Sequence, residues 1–207
     1  VFPISSMGSG FGGTGGIALA RPIGQWNLGA GLSVRSSMPF DPYEDATGNK
    51  LRYTPGTEMR ARLGLDHPFG TGNASIGFTY SKFSDDKFEA SIYNTGDRLL
   101  TQGYISNSLW NGDYTISAWN LFRAEGTLAD GSATGTEGIT DLTAAYGMML
   151  GGARLEPVVG FRMWTQEDMP TSFQSTILLR YEKSFGRMAL SPSPGFTVGS
   201  MGATPTE

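Results

Sequence analysis

Cysteine is absent from all 207 residues, which excludes a disulfide frame, a thiolate metal site and a cysteine nucleophile. No run of eighteen apolar residues occurs, so no segment can form a transmembrane helix, although a strand of alternating character needs only about 9–11 residues to cross a bilayer. Histidine appears once, at His67, and lysine four times against eleven arginines. No segment carries the apolar spacing of an amphipathic helix. Basic excess is also missing: the net charge is −4, which gives no reason to expect a nucleic-acid partner. The sequence opens on Val1 with neither a start methionine nor a charged-then-apolar leader, so a processed or trimmed product is expected.

Glycine and alternation are what the sequence has instead. Thirty glycines are about twice the usual share. With aromatic residues at 12%, the composition does not fit a disordered low-complexity chain. The length allows one large all-β domain. In QWNLGAGLSVR, residues 25–35, Trp26, Leu28, Ala30, Leu32 and Val34 alternate with Asn27, Gly29, Gly31, Ser33 and Arg35. A period of two is that of a strand with two different faces.

The same alternation recurs along the chain. Ile17 and Leu19 precede a break at PIGQ, and Met59, Ala61, Leu63 and Leu65 lead through PFGTGN to Ala74, Ile76, Phe78 and Tyr80. Residues 98–110 read as a strand of ambiguous phase, because Leu99 and Leu100 are adjacent. WNGD at 110–113 holds the Asn-Gly pair that type I′ hairpins favour. Tyr114, Ile116, Ala118 and Phe122 follow, then Leu142, Ala144, Tyr146, Met148 and Leu150 up to Gly151-Gly152. Leu155, Val159, Phe161 and Met163 return, Phe173, Ile177, Leu179 and Tyr181 form the next run, and a last strand follows SFGR through Met188, Leu190, Phe196 and Val198. Ten strands in five tight hairpins are expected, joined by four longer inserts: SSMPFDPYEDATGNKLRYTPG, residues 84–97, AEGTLADGSATGTEG and QEDMPT. Tight turns then share one rim and long loops the other.

This pattern resembles bacterial outer-membrane β-barrels, over roughly residues 15–200. The resemblance is one of architecture, porin-like in outline, and no particular family is matched. It implies an antiparallel up-and-down transmembrane barrel in the cell envelope of a Gram-negative bacterium, with short turns periplasmic, long loops extracellular and outer-membrane lipid as the partner. Residues 1–14 are expected to be a glycine-rich lead-in, 15–200 a single barrel domain and 201–207 a tail. GSGFGGTGG at 8–16 is not a phosphate loop, since no GK[ST] follows. Both ends of the ten-strand set fall on the long-loop side, whereas such barrels keep their termini periplasmic, so a barrel of twelve or more strands is expected. Pro192 and Pro194 also disturb the last strand, because proline cannot donate to a ladder.

The faces carry the functional expectation. The lumen is expected to hold Arg35, Arg60, Arg62, Asp66, Arg123, Asp141, Arg154, Glu156, Arg162, Arg180 and Glu182, with Glu58 beside them. A crowded interior suits planar guanidinium groups paired with carboxylates. The membrane-facing set is Trp26, Leu28, Leu32, Leu63, Leu65, Ile76, Phe78, Tyr114, Ile116, Tyr146, Phe161, Ile177, Leu179 and Tyr181. Aromatic girdles are expected at the turns from Trp26, Phe69, Tyr114 and Phe185, and at the loops from Tyr80, Phe122 and Phe173. Twelve of the nineteen acids, including Asp41, Glu44, Asp85, Asp86, Glu89, Asp97, Glu125, Asp130, Glu137, Glu167 and Asp168, fall in the inserts. They read as solvated loops; clustered carboxylates also suit a divalent cation bridging lipid headgroups, but DPYEDATGN lacks EF-hand spacing.

Enzymatic activity is not expected. His67 lies beside a tight turn, on the rim opposite the catalytic sites of barrel lipases and omptin-like proteases, and a boundary role fits it. Glu156 with Asp141 would need a raised acid pKa, which Arg154 and Arg162 oppose. Neither metal nor cofactor is implied. The leading expectation is a non-enzymatic scaffold or passive pore with an Arg/acid-lined lumen. Alternatives are an uptake channel for small or apolar solutes and a soluble β-barrel binding an apolar ligand. Protein partners and oligomeric state are left open.

Overall fold

The computed structural model describes residues 11–44, 47–185 and 188–200, with Met188 known by its backbone alone. Every regular element in them is a strand: β1 Gly12–Ile23, β2 Trp26–Ser37, β3 Phe40–Glu44, β4 Lys50–Thr54, β5 Glu58–Phe69, β6 Gly72–Phe83, β7 Asp86–Phe88, β8 Ser91–Tyr93, β9 Arg98–Leu109, β10 Gly112–Arg123, β11 Glu137–Leu150, β12 Ala153–Gln166, β13 Met169–Phe185, β14 Met188–Leu190 and β15 Gly195–Ser200. The ten expected strands form one antiparallel sheet in the order β1-β2-β5-β6-β9-β10-β11-β12-β13, with β14 and β15 sharing the last place beside β13. Four tight turns fall at Gly24–Gln25, Gly70–Thr71, Trp110–Asn111 and Gly151–Gly152; the fifth, expected at SFGR, 184–187, falls partly outside the described residues. The prolines split the final strand as their chemistry requires: Pro192 and Pro194 only accept, from the amides of Tyr181 at 3.0 Å and Leu179 at 2.9 Å.

Four expectations are corrected. The sheet is not closed into a barrel: among the described residues β1 pairs only with β2, and β14 and β15 only with β13, leaving two unpaired edges. The glycine-rich lead-in stops short of Thr14, because Gly12, Gly13 and Thr14 pair with Ser37, Ser36 and Arg35 of β2; residues 1–10, and the tail at 201–207, lie outside the described residues. Asn111-Gly112 is not the centre of its hairpin. The turn is Trp110-Asn111, with Trp110 in the left-handed region at φ 54°, and Gly112 is strand, where a Cβ would meet the Gly147 carbonyl oxygen at 2.3 Å. Close packing of β10 on β11 therefore claims the glycine that local turn chemistry would have used.

The long inserts are the fourth correction, since they are not simple solvated loops. Those at 38–57 and 84–97 build a second sheet, β3-β4-β7-β8, around buried Tyr53, whose ring meets that of Phe40 edge-on at 5.3 Å. Asn94 and Thr127 exchange backbone hydrogen bonds at 2.9 and 2.8 Å, and Glu167 bonds Thr136 from both its amide and its carboxylate. Gly96, at φ +75°, permits one of these approaches, because a Cβ there would meet the Ala124 carbonyl oxygen at 2.1 Å. All four inserts are thereby joined side by side along one rim. No group of three or more acids or histidines among the described residues is placed to hold a metal ion.

Candidate functional site: the shielded polar face of the sheet

Cross-strand partners in an antiparallel ladder share a face, so the register sorts every strand residue. One continuous row runs Ala20, Gly29, Gly64, Gly77, Gln102, Trp119, Asp141, Arg162, Gln174 and Gly199. The same registers put all eleven charged residues expected in the lumen on this face, and all fourteen expected at the membrane on the other. The ambiguous strand is resolved as well: Leu99 joins the apolar face, while Leu100 sits on the polar face opposite Leu121.

Burial runs opposite to that of a soluble sheet. Val158, on the polar face, is 4% exposed, while its neighbour Val159 on the apolar face is 53% exposed. Ser81 is 7% exposed and adjacent Tyr80 43%. Leu63 at 50% and Ile177 at 46% are not gathered in any core. The buried apolar residues of the described chain are only Tyr53, Ala153 and Val158. The shielding of the polar face is confined to the middle of β2, β5, β6 and β10–β13, while the edge strands β1 and β15 are exposed on both faces.

On β10–β13 that side is a charge ladder. Arg162 grips Asp141 through Nε and Nη2, both at 2.7 Å. Its guanidinium also lies 5.9 Å from the Trp119 ring centroid and 5.7 Å from that of Trp164. Glu156 accepts from Arg180 at 2.8 Å and from Arg154 at 3.3 Å; Arg154 is also 3.8 Å from Asp113. Arg123 pairs with Glu137 at 3.1 Å, so Glu137 belongs to β11 and not to a loop. On β5, Glu58 accepts two bonds from Arg60, whose Nε also reaches the Ser81 hydroxyl at 3.3 Å. Asp141 and Glu156 are each engaged by arginines and not by one another, an arrangement that braces neighbouring strands.

The expected ladder is incomplete at four places. Among the described residues Arg35, Arg62, Asp66 and Glu182 form no ion pair within 4.0 Å, and Arg98 is met only by the Phe83 ring, 5.0 Å from its centroid. Arg62 lies among Ala18, Gly31 and Gly64 instead. Alternation alone could not foresee this, since it assigns a face but not a partner. It also missed Trp119, Trp164 and Tyr104 on the polar face, because they interrupt the polar half of a pattern that was read from its apolar half.

His67 lies on the apolar face at the tight-turn end, its ring 4.2 Å from that of Trp26. No hydroxyl or carboxylate among the described residues hydrogen-bonds to it, so no nucleophile–base pair is formed there.

At the loop rim, outside the large sheet, Asp86 of β7 accepts from the Gly56 amide and is bonded to Tyr53. Burial raises its carboxyl above the ordinary range, against those two bonds, and the nearby Asp85 charge adds to the rise. Burial likewise holds the Tyr53 hydroxyl protonated well above the usual phenol range. No known protein family matches this chain, and no curated protein or solved structure is similar to it.

Proposed function

We propose that this chain is a bacterial outer-membrane β-barrel protein, non-enzymatic, acting as a scaffold or passive pore whose lumen is lined by the arginine–carboxylate ladder. The supporting observation is the inverted burial along the middle of β6 and β10–β13, where the apolar face is the more exposed one and polar-face residues such as Ser81, Glu156 and Val158 are the shielded ones. Water penalises that arrangement over hundreds of Å² of contiguous apolar surface, whereas hydrocarbon favours it. An apolar-lined soluble barrel would need the opposite polarity. The long-loop rim then faces outward and the tight turns face the periplasm. The two unpaired edges fit a barrel of twelve or more strands, since every backbone donor and acceptor must be paired within lipid. Those same edges favour a second reading, an uptake channel, because added strands widen the lumen.

Detergent dependence tests the proposal. The purified chain is expected to be monodisperse only in detergent or lipid. A stable monomer in detergent-free buffer would end the membrane assignment.

A further inference from the structure

At the loop end of the polar face, β1, β2 and β5 enclose a recess of about 470 Å³, within the size range of small-molecule sites. Its polar groups are Thr14, Ser33, Arg35, Ser37, Glu58 and Arg60. Glu58 is engaged by Arg60, so two guanidiniums stand against one carboxylate and the recess keeps one uncompensated positive charge. Arg35 supplies it: among the described residues its five donors meet no carboxylate within 4.0 Å, and it acts on Glu58 only through space. Arginines on the far half of the sheet are in contrast matched one to one, Arg123 by Glu137, Arg154 by Asp113, Arg162 by Asp141 and Arg180 by Glu156. Gly12 lines the recess, and a Cβ there would meet the Ser37 hydroxyl at 2.7 Å; glycine keeps that hydroxyl accessible.

We infer that this recess binds an oxyanion, the phosphate, sulfate or carboxylate group of a small solute or of a lipid headgroup. A guanidinium fork matches two oxygens of such a group, the three hydroxyls donate to the remaining oxygens, and the uncompensated charge draws anions to the mouth of the lumen. The inference deepens the pore-or-scaffold reading but does not require insertion. Arg35-dependent phosphate binding by a chain that needs no detergent would keep the site and dismiss the membrane assignment.

The experiment is calorimetric titration of the folded chain with inorganic phosphate at low ionic strength in a nonionic detergent. One saturable site is expected. Arg35→Gln should weaken it about tenfold or more, as the loss of a charge-assisted bidentate contact implies, with partial recovery in Arg35→Lys. Arg180→Gln, on the neutralised half of the sheet, should leave it unchanged. Ser33→Ala with Ser37→Ala, which keeps every charge, should also weaken binding and serves if the Arg35 variants do not fold. A second arm uses micelles doped with phosphatidylglycerol: Arg35-dependent uptake of that lipid without a response to free phosphate assigns the same oxyanion chemistry to a headgroup. Absence of both responses overturns the site. Equal losses in Arg35→Gln and Arg180→Gln also overturn it, because they would mean diffuse charge attraction.

Discussion

Single side chains carry two of the expectations furthest. Leu63 and Ile177 are half exposed near the middle of β5 and β13. Arginine at a lipid-facing midplane position costs about 2–4 kcal/mol. Leu63→Arg and Ile177→Arg should therefore each block insertion into vesicles while leaving the polar face intact; wild-type assembly of both would tell against a lipid-facing side. The charge ladder separates paired from unpaired arginines. Asp141→Asn removes the ionised partner of Arg162 and should lower stability by about 1–2 kcal/mol, as for a charge-assisted bond in a partly screened setting. Arg62→Ala, with no ion pair to lose among the described residues, should leave the melting temperature nearly unchanged. A drop equal to that of Asp141→Asn would reveal a pairing that the geometry lacks. The face of each residue was legible from the alternation; its partner was not, because a salt bridge depends on register across two strands.

At the scale of elements, the short strands of the inserts mark the limit of pattern reading. β7 and β8 are three residues each, and β3 includes Pro42, so none is long enough to display a period of two. What forms them is contact between inserts far apart in sequence, with Tyr53 paired to Phe88 and Asp86 to Tyr93. Asp86 makes this sheet sensitive to pH. Burial raises its carboxyl in the folded rim above the value it has in the unfolded chain, near 3.9. Between the two values the folded rim holds a proton that the unfolded rim releases, so the stabilising contribution is complete below the unfolded value and is lost as pH rises through the folded one. Amides of Tyr53, Thr54, Lys87 and Phe88 should then exchange hydrogen more readily, after correction for intrinsic rates, at neutral than at mildly acidic pH. Asp86→Asn, which keeps an acceptor for the Gly56 amide, should flatten the difference. Protection that grows with pH in the unaltered chain would contradict the burial of this carboxyl.

For the whole molecule, the unequal halves of the polar face bear on what the proposed barrel would conduct. Midway along β1, β2, β5 and β6, Ala18, Ala20, Gly29, Gly31, Gly64 and Gly77 leave the polar face low around Arg62, whereas Trp119, Arg162, Trp164 and Leu178 project bulk from β10–β13. In the proposed barrel, closure at ten strands would lay this bulk over the small residues and narrow the lumen, as side chains fill barrels of about eight strands. The reconstituted chain should accordingly carry no steady current across a planar bilayer; discrete, reproducible conductance steps would favour the channel reading and further strands. Sequence alone determined the ten strands of the large sheet and the side on which the eleven charged and fourteen apolar residues singled out from the alternation stand, because a period of two is a local property of the backbone. Only the tertiary structure decided that, among the described residues, the two edges are unpaired, that the inserts join into a second sheet and that Arg35 forms no ion pair within 4.0 Å. Each of those depends on which distant strands lie side by side and on how far apart they leave their side chains.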